Sequence, residues 1–525
     1  MRFNILIGGQ AGQGINKTSE IISNILAEKG YYTFNYKEYP SLIRGGHNFN
    51  ILSVSDKPIE SHEIKLDIII ALNKETIQVH KNSLKKQGII INSDNLADEK
   101  ENLNIALAGA LIKILGFSLE DLNKELKKQF KENKNILESG KKGFNSQEYK
   151  KENYSLKKLS NKISILSGSQ ATSIGAIKSG IDLYIAYPMT PATELMHELA
   201  KEQLKNNLMV FQPENEIAVA NMALGASFAG SKTLIGTSGG GFDLMSEALS
   251  FQGISGIPLT VYLASRPGPG TGVPTYTNQP DLDIALRAGH GEFSRVVIAP
   301  SNAVESIEKT SEALFLAEKF KTLSIILTDK HLAESEYSLS KDELSKIKTH
   351  KIQVSRDLPG KNKIVKSSSY ESNKYGNTTE SAELTEKNTL ARIEKYEKTK
   401  QFIENNFEMI KIYGNKNSKN LIIGWGSTSG AIKDAIQEIE SNQKDKLDAK
   451  FLQVLYLKPL SGKIKKEMEN AKNIILIEQN VTGQLGRLLR EKTGISIPEK
   501  NRILKFNGRP FTSNELKTGI QKRLI

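Results

Sequence analysis

The chain has 525 residues, 38% of them hydrophobic, 25% charged and 7% aromatic, which is the composition of a globular protein with about three domains. It contains no cysteine, which excludes disulfides, thiolate-bound zinc, a catalytic thiol and an iron–sulfur cluster held by this chain. The net charge is +13, but the lysines are spread along the chain and its linkers without interleaved aromatics, so nucleic-acid binding is not expected.

Residues 1–140 form the first predicted domain. A strand at residues 3–8 leads into a helix whose buried face carries Ile15, Thr18, Ile22, Ile25 and Leu26. Residues 68–72 and 88–91 read as further strands, and such continuous apolar runs predict a parallel sheet covered on both faces. A helix near residues 105–115 carries Ala108, Gly109 and Ala110, small enough for close packing. Residues 141–162 are polar and lysine-rich and read as a linker.

The second predicted α/β domain spans residues 163–332, with strands at 183–186, 233–236, 259–263 and 323–327. Residues 333–405 turn polar and have the composition of a disordered excursion, ending in a charged helix at 391–405. Residues 406–525 form the third α/β domain, with strands at 421–424, 451–457 and 473–477. No apolar run reaches the ~18 residues of a membrane span. The N-terminus reads as a strand and not a secretion signal, so a cytoplasmic location is expected.

The turn Gly8-Gly9-Gln10-Ala11-Gly12-Gln13-Gly14 follows a strand and opens a helix. Backbone N–H groups at Gly9, Gly12 and Gly14 can approach an anion at the helix N-terminus, or the glycines simply allow a tight turn. The dinucleotide fingerprint needs glycine where Ala11 stands, and a P-loop needs lysine where Ile15 stands. Arg44, before Gly45-Gly46, can hold a phosphate or carboxylate or sit at an ordinary turn.

Three loops follow strands of the second domain, where open α/β sheets bind ligands. Tyr187-Pro188-Met189-Thr190-Pro191 presents Thr190 between two prolines, either as a preset hydroxyl or as a helix cap. Thr237-Ser238-Gly239-Gly240-Gly241 has three successive glycines, which suit close backbone approach. Arg266-Pro267-Gly268-Pro269-Gly270-Thr271-Gly272-Val273-Pro274-Thr275 is a rigid loop whose arginine suits bidentate carboxylate binding. Glu214-Asn215-Glu216 opens a helix, where the dipole favours acids in any case.

Together these segments resemble the 2-oxoacid:ferredoxin oxidoreductases. The family's alpha subunit has a Y-P-x-T-P loop, matched at residues 187–191, and an acidic segment before a G-A-x-x-A-G helix, matched at 214–230. Its T-S-G-P-G turn is matched at 237–241 with Gly240 for proline, and its R-G-G-P-S-T-G-x-P-T loop at 266–275 with Pro267 and Gly270 as departures. His290-Gly291-Glu292, the run Glu478-Gln479-Asn480-Val481-Thr482-Gly483-Gln484 and Gly508-Arg509-Pro510-Phe511 fit as well. The N-terminal glycine turn and Arg44-Gly45-Gly46 are similar to the family's gamma domain, so the layout is that of a gamma domain fused ahead of an alpha subunit. The resemblance also implies that residues 376–400 lead into a helix, leaving 333–373 as the stretch in doubt.

The resemblance implies three α/β domains: a Rossmann-like gamma domain, a pyrimidine-type thiamine diphosphate domain and a transketolase C-terminal-like domain. It implies oxidative decarboxylation of a 2-oxoacid on thiamine diphosphate, with the acyl group passed to coenzyme A and electrons to ferredoxin. Counting back from Gly225-Ala226 assigns the family's pyrimidine-binding glutamate to Glu216 and not Glu214. Arg266 is then expected to hold the substrate carboxylate, and Thr190 and Thr275 its carboxylate or keto oxygen. Tyr187, Pro188, Ser238, Gly239 and Gly240 shape the cofactor cleft, while Gly9, Gly12, Gly14 and Arg44 are expected near coenzyme A.

A G-D-G…N diphosphate–metal signature and cysteines are both missing, and the resemblance implies that a beta subunit carries Mg²⁺ and a 4Fe-4S cluster, with two alpha and two beta subunits in the assembly. 2-Oxoglutarate is the first-choice substrate, with pyruvate, branched-chain oxoacids or a broad 2-oxoacid range next. A nicotinamide-dependent oxidoreductase is opposed by Ala11, and a basic nucleic-acid-binding or scaffold protein leaves the 266–275 loop unexplained.

Overall fold

The computed structural model describes residues 1–42, 45–94, 96, 99, 101–146, 154–360, 364–441 and 448–524. The chain divides into two compact units, one of Met1–Leu166, Ser335–Lys346 and Thr512–Asn514, the other of Ser167–Glu334, Ile347–Phe511 and Glu515–Ile525.

The first unit is built on a seven-stranded sheet in the order Leu84–Ile91, Leu66–Ala71, Arg2–Gln10, His47–Ser55, Tyr32–Glu38, Glu336–Ser340 and Ile163–Ser167. Leu66–Ala71 runs parallel to both of its neighbours, but His47–Ser55 is antiparallel to Arg2–Gln10 and to Tyr32–Glu38. The sheet is therefore mixed, which corrects the expectation of a parallel sheet. A short connection can reverse a strand, whereas a parallel return needs a crossover of a dozen residues or more. Tyr32–Glu38 and His47–Ser55 escape an apolar-run search because they bury polar side chains, among them Thr33, Asn35, Asn50 and Ser53. Asn50 Nδ2 donates to Asn16 and Ser19 on helix Ile15–Glu28, and Ser53 Oγ donates to Asn4 at 2.6 Å.

Helix Leu103–Ile114 is nearly all apolar and packs closely on helix Lys134–Asn145, where a Cβ on Gly109 would meet the Gly140 carbonyl and one on Gly143 the Ala106 carbonyl. The predicted domain end at 140 thus falls inside a helix. The described end of the predicted linker also packs on this unit: Leu156 is buried, and Leu159 N donates to Lys29 O.

The second unit carries two sheets. The first has the order Tyr456–Lys458, Arg295–Ile298, Leu323–Asp329, Leu259–Ser265, Thr233–Thr237, Leu183–Ala186 and Met209–Phe211, parallel throughout except at Tyr456–Lys458. The other runs Ile410–Gly414, Lys450–Val454, Asn420–Trp425, Asn473–Glu478 and Arg502–Leu504, antiparallel only at its first pair. One hydrophobic core joins them, with Val261, Leu263 and Ile325 of one sheet in the same cluster as Ile423, Trp425 and Leu452 of the other. Both sheets, read from sequence as two α/β domains, thus lie in the second compact unit and share core residues.

The polar stretch 333–405 contributes the strand Glu336–Ser340 to the first unit and the helix Ala382–Asn406 to the second. That helix begins well before residue 391, because the Ser381 side chain caps it by accepting from Leu384 N. Within 347–360, Arg356 is held by the Glu318 carboxylate and the Ser227 carbonyl. Among the described residues no helix is long and apolar enough to cross a membrane.

Candidate active site

Four strands of the second unit's larger sheet end at one edge, and the loops leaving them carry most of the predicted site. Arg266 is the first residue beyond Leu259–Ser265 and is half-buried. Its Nη1 donates to the Thr190 carbonyl at 2.9 Å, which fastens the proline-framed loop to the Pro/Gly loop. Burial lowers the guanidinium pKa, and the carboxylates of Asp281 and Glu216 oppose that shift. Thr190 therefore meets Arg266 through its carbonyl, leaving its hydroxyl out of this bond. Tyr187 and Pro188 stand exposed at the start of the same loop.

Glu216 is the first residue of helix Glu216–Phe228, whose start is fixed by the Asn215 side chain accepting from Ala218 N at 2.9 Å. Although it opens a helix, its side chain does not face water: it is 3% exposed, and Oε1 has no hydrogen-bond partner among the described residues. Oε1 lies against the glycine turn, where a Cβ on Gly241 would stand 2.5 Å away. A Cβ on Gly239 would stand 2.7 Å from Asp281 Oδ1, whereas one on Gly240 would meet nothing. The departure at Gly240 therefore sits over open space and the flanking glycines do not. Ser238 Oγ and Thr275 Oγ1 are buried and also lack partners among the described residues. Three unpaired polar atoms on converging loops are costly unless a ligand or partner satisfies them.

The Arg266 loop folds back on itself, with Gly272 (φ +53°) against the Pro267 carbonyl, and its tip is exposed. Its exit, residues 275–281, is buried and clasped from several sides. Thr277 N donates to Gly508 O, and Thr277 Oγ1 donates to Asp329 Oδ1 at 3.3 Å. Gln279 N donates to Gln479 O at 2.7 Å, while Gln479 N returns a bond to Gln279 Oε1 at 3.0 Å. Asn480 Nδ2 donates to Gln279 O, and Gln484 Nε2 to Pro280 O at 2.7 Å. The motifs at 478–484 and 508–511 thus act as a clamp on the exit of the arginine loop. Glu478 anchors the clamp: burial raises its pKa, against which it accepts from Leu485 N, Trp425 Nε1 and Asn480 Nδ2.

Gly9, Gly12 and Gly14 lie in the first unit. The turn is closed by Gln10 N donating to Gln13 Oε1 at 2.7 Å, and Gly14, in the left-handed region at φ +82°, opens helix Ile15–Glu28 without a side-chain cap. Gly14 also abuts the Asn104 side chain, so part of its need for glycine is steric. Arg44 lies outside the described residues.

Asp281 and Gln279 were not singled out from sequence. An aspartate before a helix reads as an ordinary N-cap, and a lone glutamine carries no pattern.

Residues 174–404 match the family described as pyruvate flavodoxin/ferredoxin oxidoreductase, thiamine diphosphate-binding, and residues 4–102 the family described as pyruvate ferredoxin/flavodoxin oxidoreductase. The 2-oxoacid:ferredoxin oxidoreductase subunit alpha of Saccharolobus solfataricus is 30% identical, covering 99% of this chain and 98% of its own. The 2-oxoglutarate synthase subunit KorA of Methanocaldococcus jannaschii is 27% identical over 62% of this chain and 90% of its own. The fold superposes with a TM-score of 0.90 and 24% identity, over 100% of both chains, on 2-oxoglutarate:ferredoxin oxidoreductase from Magnetococcus marinus, solved with 2-oxoglutarate, coenzyme A and succinyl-CoA bound.

Proposed function

The chain belongs to the family of 2-oxoacid:ferredoxin oxidoreductase alpha subunits, and on that premise we propose that its second unit supplies the glutamate–arginine half of a thiamine diphosphate site for CoA-dependent oxidative decarboxylation of a 2-oxoacid, 2-oxoglutarate first. The observation that carries this reading is Glu216 Oε1, buried and unpaired against a glycine turn, with Arg266 at the next strand end.

The residues fit the cofactor's pyrimidine ring. A flat ring needs a backbone it can approach, supplied by Ser238, Gly239 and Gly240 with Tyr187 and Pro188 at the rim. A ring nitrogen needs a carboxyl, supplied by Glu216 Oε1. When bound, thiamine diphosphate supplies the nucleophilic carbon and the electron sink for decarboxylation. Glu216 holds or takes a proton at the ring nitrogen, which is acid–base work for a carboxyl within hydrogen-bond reach. Arg266 pairs with the substrate carboxylate through charge-assisted bonds. The hydroxyls of Thr190 and Thr275 hold the carboxylate or keto oxygen and so fix the angle at which the keto carbon is presented.

The chain has no cysteine, so electrons leave through a cluster held by another protein. A beta subunit supplies that 4Fe-4S cluster, the Mg²⁺ and the diphosphate site, in an assembly of two alpha and two beta subunits. Exposed apolar side chains on the site's own elements support a covering partner: Ile217 beside Glu216, Leu244 at the end of the glycine-turn helix, and Val273 on the arginine loop. Ferredoxin is the electron acceptor and coenzyme A the co-substrate, with Gly9, Gly12, Gly14 and Arg44 of the first unit assigned to coenzyme A phosphate. The names of the archaeal synthase subunit and the Magnetococcus enzyme support 2-oxoglutarate over pyruvate. A cytoplasmic location goes with this reading.

The test is co-purification of the chain with its natural partner, followed by 2-oxoacid- and CoA-dependent reduction of a viologen dye. Reduction that requires both is expected, fastest with 2-oxoglutarate. No reduction with any 2-oxoacid would overturn the proposal.

A further inference from the structure

Asp281 precedes helix Leu282–Arg287 but does not cap it with its side chain. Its carboxyl turns back to the glycine turn, where a Cβ on Gly239 would stand 2.7 Å from Oδ1 and 2.8 Å from Oδ2. The residue is 9% exposed, and Oδ2 has no hydrogen-bond partner among the described residues. The turn is thus pinned between two buried carboxyls, Asp281 behind Gly239 and Glu216 behind Gly241. One cation, Arg266, feels both. The backbone just before Asp281 is immobilised by the bonds of Gln479, Asn480 and Gln484 to Gln279 and Pro280, so the carboxyl has little room to swing away.

The charges around this carboxyl come from three elements. Burial raises its pKa to about 6; the Ser265 hydroxyl lowers it, Asp243 on the glycine-turn helix raises it, and Arg266 at the strand end lowers it. The clamp residues Gln479, Asn480 and Gln484 bring no charge to its backbone neighbours. Each ionisation of Asp281 therefore adds one negative charge to the cluster around the Arg266 guanidinium. A substrate carboxylate entering beside that added charge meets added repulsion, moderated by the half-exposed setting of Arg266.

Taking the proposed function as its basis, we propose that Asp281 sets the affinity of the site for the substrate carboxylate, acting through Arg266. Ionised, it competes with the incoming anion for the guanidinium. Protonated, it leaves Arg266 to the substrate. Asp281 is a positioning residue in this scheme, and its effect falls on KM for the oxoacid.

The experiment compares the reconstituted complex carrying wild-type chain or Asp281→Asn in viologen reduction from about pH 5.5 to 8.5, with KM read separately for the 2-oxoacid and for coenzyme A. In the wild type, KM for the oxoacid should rise about tenfold across this range, the size of one charge–charge term at partly buried distance. In Asp281→Asn it should stay low and flat, with KM for coenzyme A following one curve in both proteins. Asp281→Ser, also uncharged, should give the same flat profile should asparagine disturb the turn. A rise that persists in both variants, or a parallel shift of both Michaelis constants, would overturn the inference while leaving the proposed function standing. A wild-type complex with no oxoacid-dependent reduction would overturn the function itself, and this inference with it.

Discussion

Gly241 stands directly against Glu216: a Cβ there would lie 2.5 Å from Oε1 and would also strike the Thr237 hydroxyl. The glycine is required because the carboxyl behind it is buried and cannot retreat. Gly241→Ala should displace Glu216 and lower turnover of the reconstituted complex, whereas Gly240→Ala, facing open space, should be tolerated by the fold.

Glu216→Ala removes the carboxyl itself. Turnover should fall at least about 100-fold, the usual share of a positioned acid or base, while the chain still assembles with its partner by size-exclusion chromatography. Near-normal turnover would show that the buried oxygen plays no part in the reaction.

Arg266→Ala should raise KM for the 2-oxoacid about 10- to 100-fold, the range of a lost hydrogen bond to a charged group. KM for coenzyme A should move far less. The Arg266–Thr190 bond fastens two loops, so equal effects on both constants would instead make the arginine a structural brace.

Stability has its own electrostatic test in Glu305. The carboxylate is buried yet accepts from Lys411 Nζ at 2.8 Å, from Gln453 Nε2 at 2.8 Å and from Ser301. Burial pushes its pKa up, but Lys411 and Lys433 win and hold it at about 2. A folded pKa below the unfolded one contributes stability above the unfolded value, lost as pH falls through the folded one. Glu305→Gln should destabilise the chain by about 3 kcal/mol at neutral pH, leaving Lys411 buried without its partner. The gap between the two denaturation curves should narrow as pH falls below about 4. A gap independent of pH would mean that packing, and not charge, is lost.

Much of the fold could be read in advance because parallel strands buried on both faces are written as unbroken apolar runs. Residues 259–263, 323–327 and 421–424 are of this kind, and each is a strand. Strands that bury asparagine and serine, such as His47–Ser55, carry no such signal, and their polar groups are satisfied by a helix and a neighbouring strand that only the fold brings alongside. Glu336–Ser340 was hidden differently, since it joins a sheet whose other members are distant in sequence, and the single strand read at 451–457 is split, Lys450–Val454 in one sheet and Tyr456–Lys458 in the other. At the site, Glu216 was assigned through the family resemblance by counting back from Gly225-Ala226, and Arg266 was picked out by its place at a strand's carboxyl end, where the structure puts it. Asp281 was not, because only the folded backbone brings it to Gly239.

The clamp on the arginine loop leads to the last prediction. Gln279 is 1% exposed, and its amide uses both ends: Oε1 accepts from Gln479 N at 3.0 Å, and Nε2 donates to Trp425 O at 3.1 Å. Gln279→Ala strands a buried donor and a buried acceptor, each worth about 1–3 kcal/mol when left unpaired. Gln279→Glu keeps the acceptor for Gln479 N but sets a carboxylate oxygen against the Trp425 carbonyl. Both variants should unfold at lower denaturant concentration than the wild type, and both should raise KM for the oxoacid, because Thr275 and Asp281 flank the clamped residues. If stability falls and KM does not, the clamp serves folding alone and the arginine loop keeps its geometry without it.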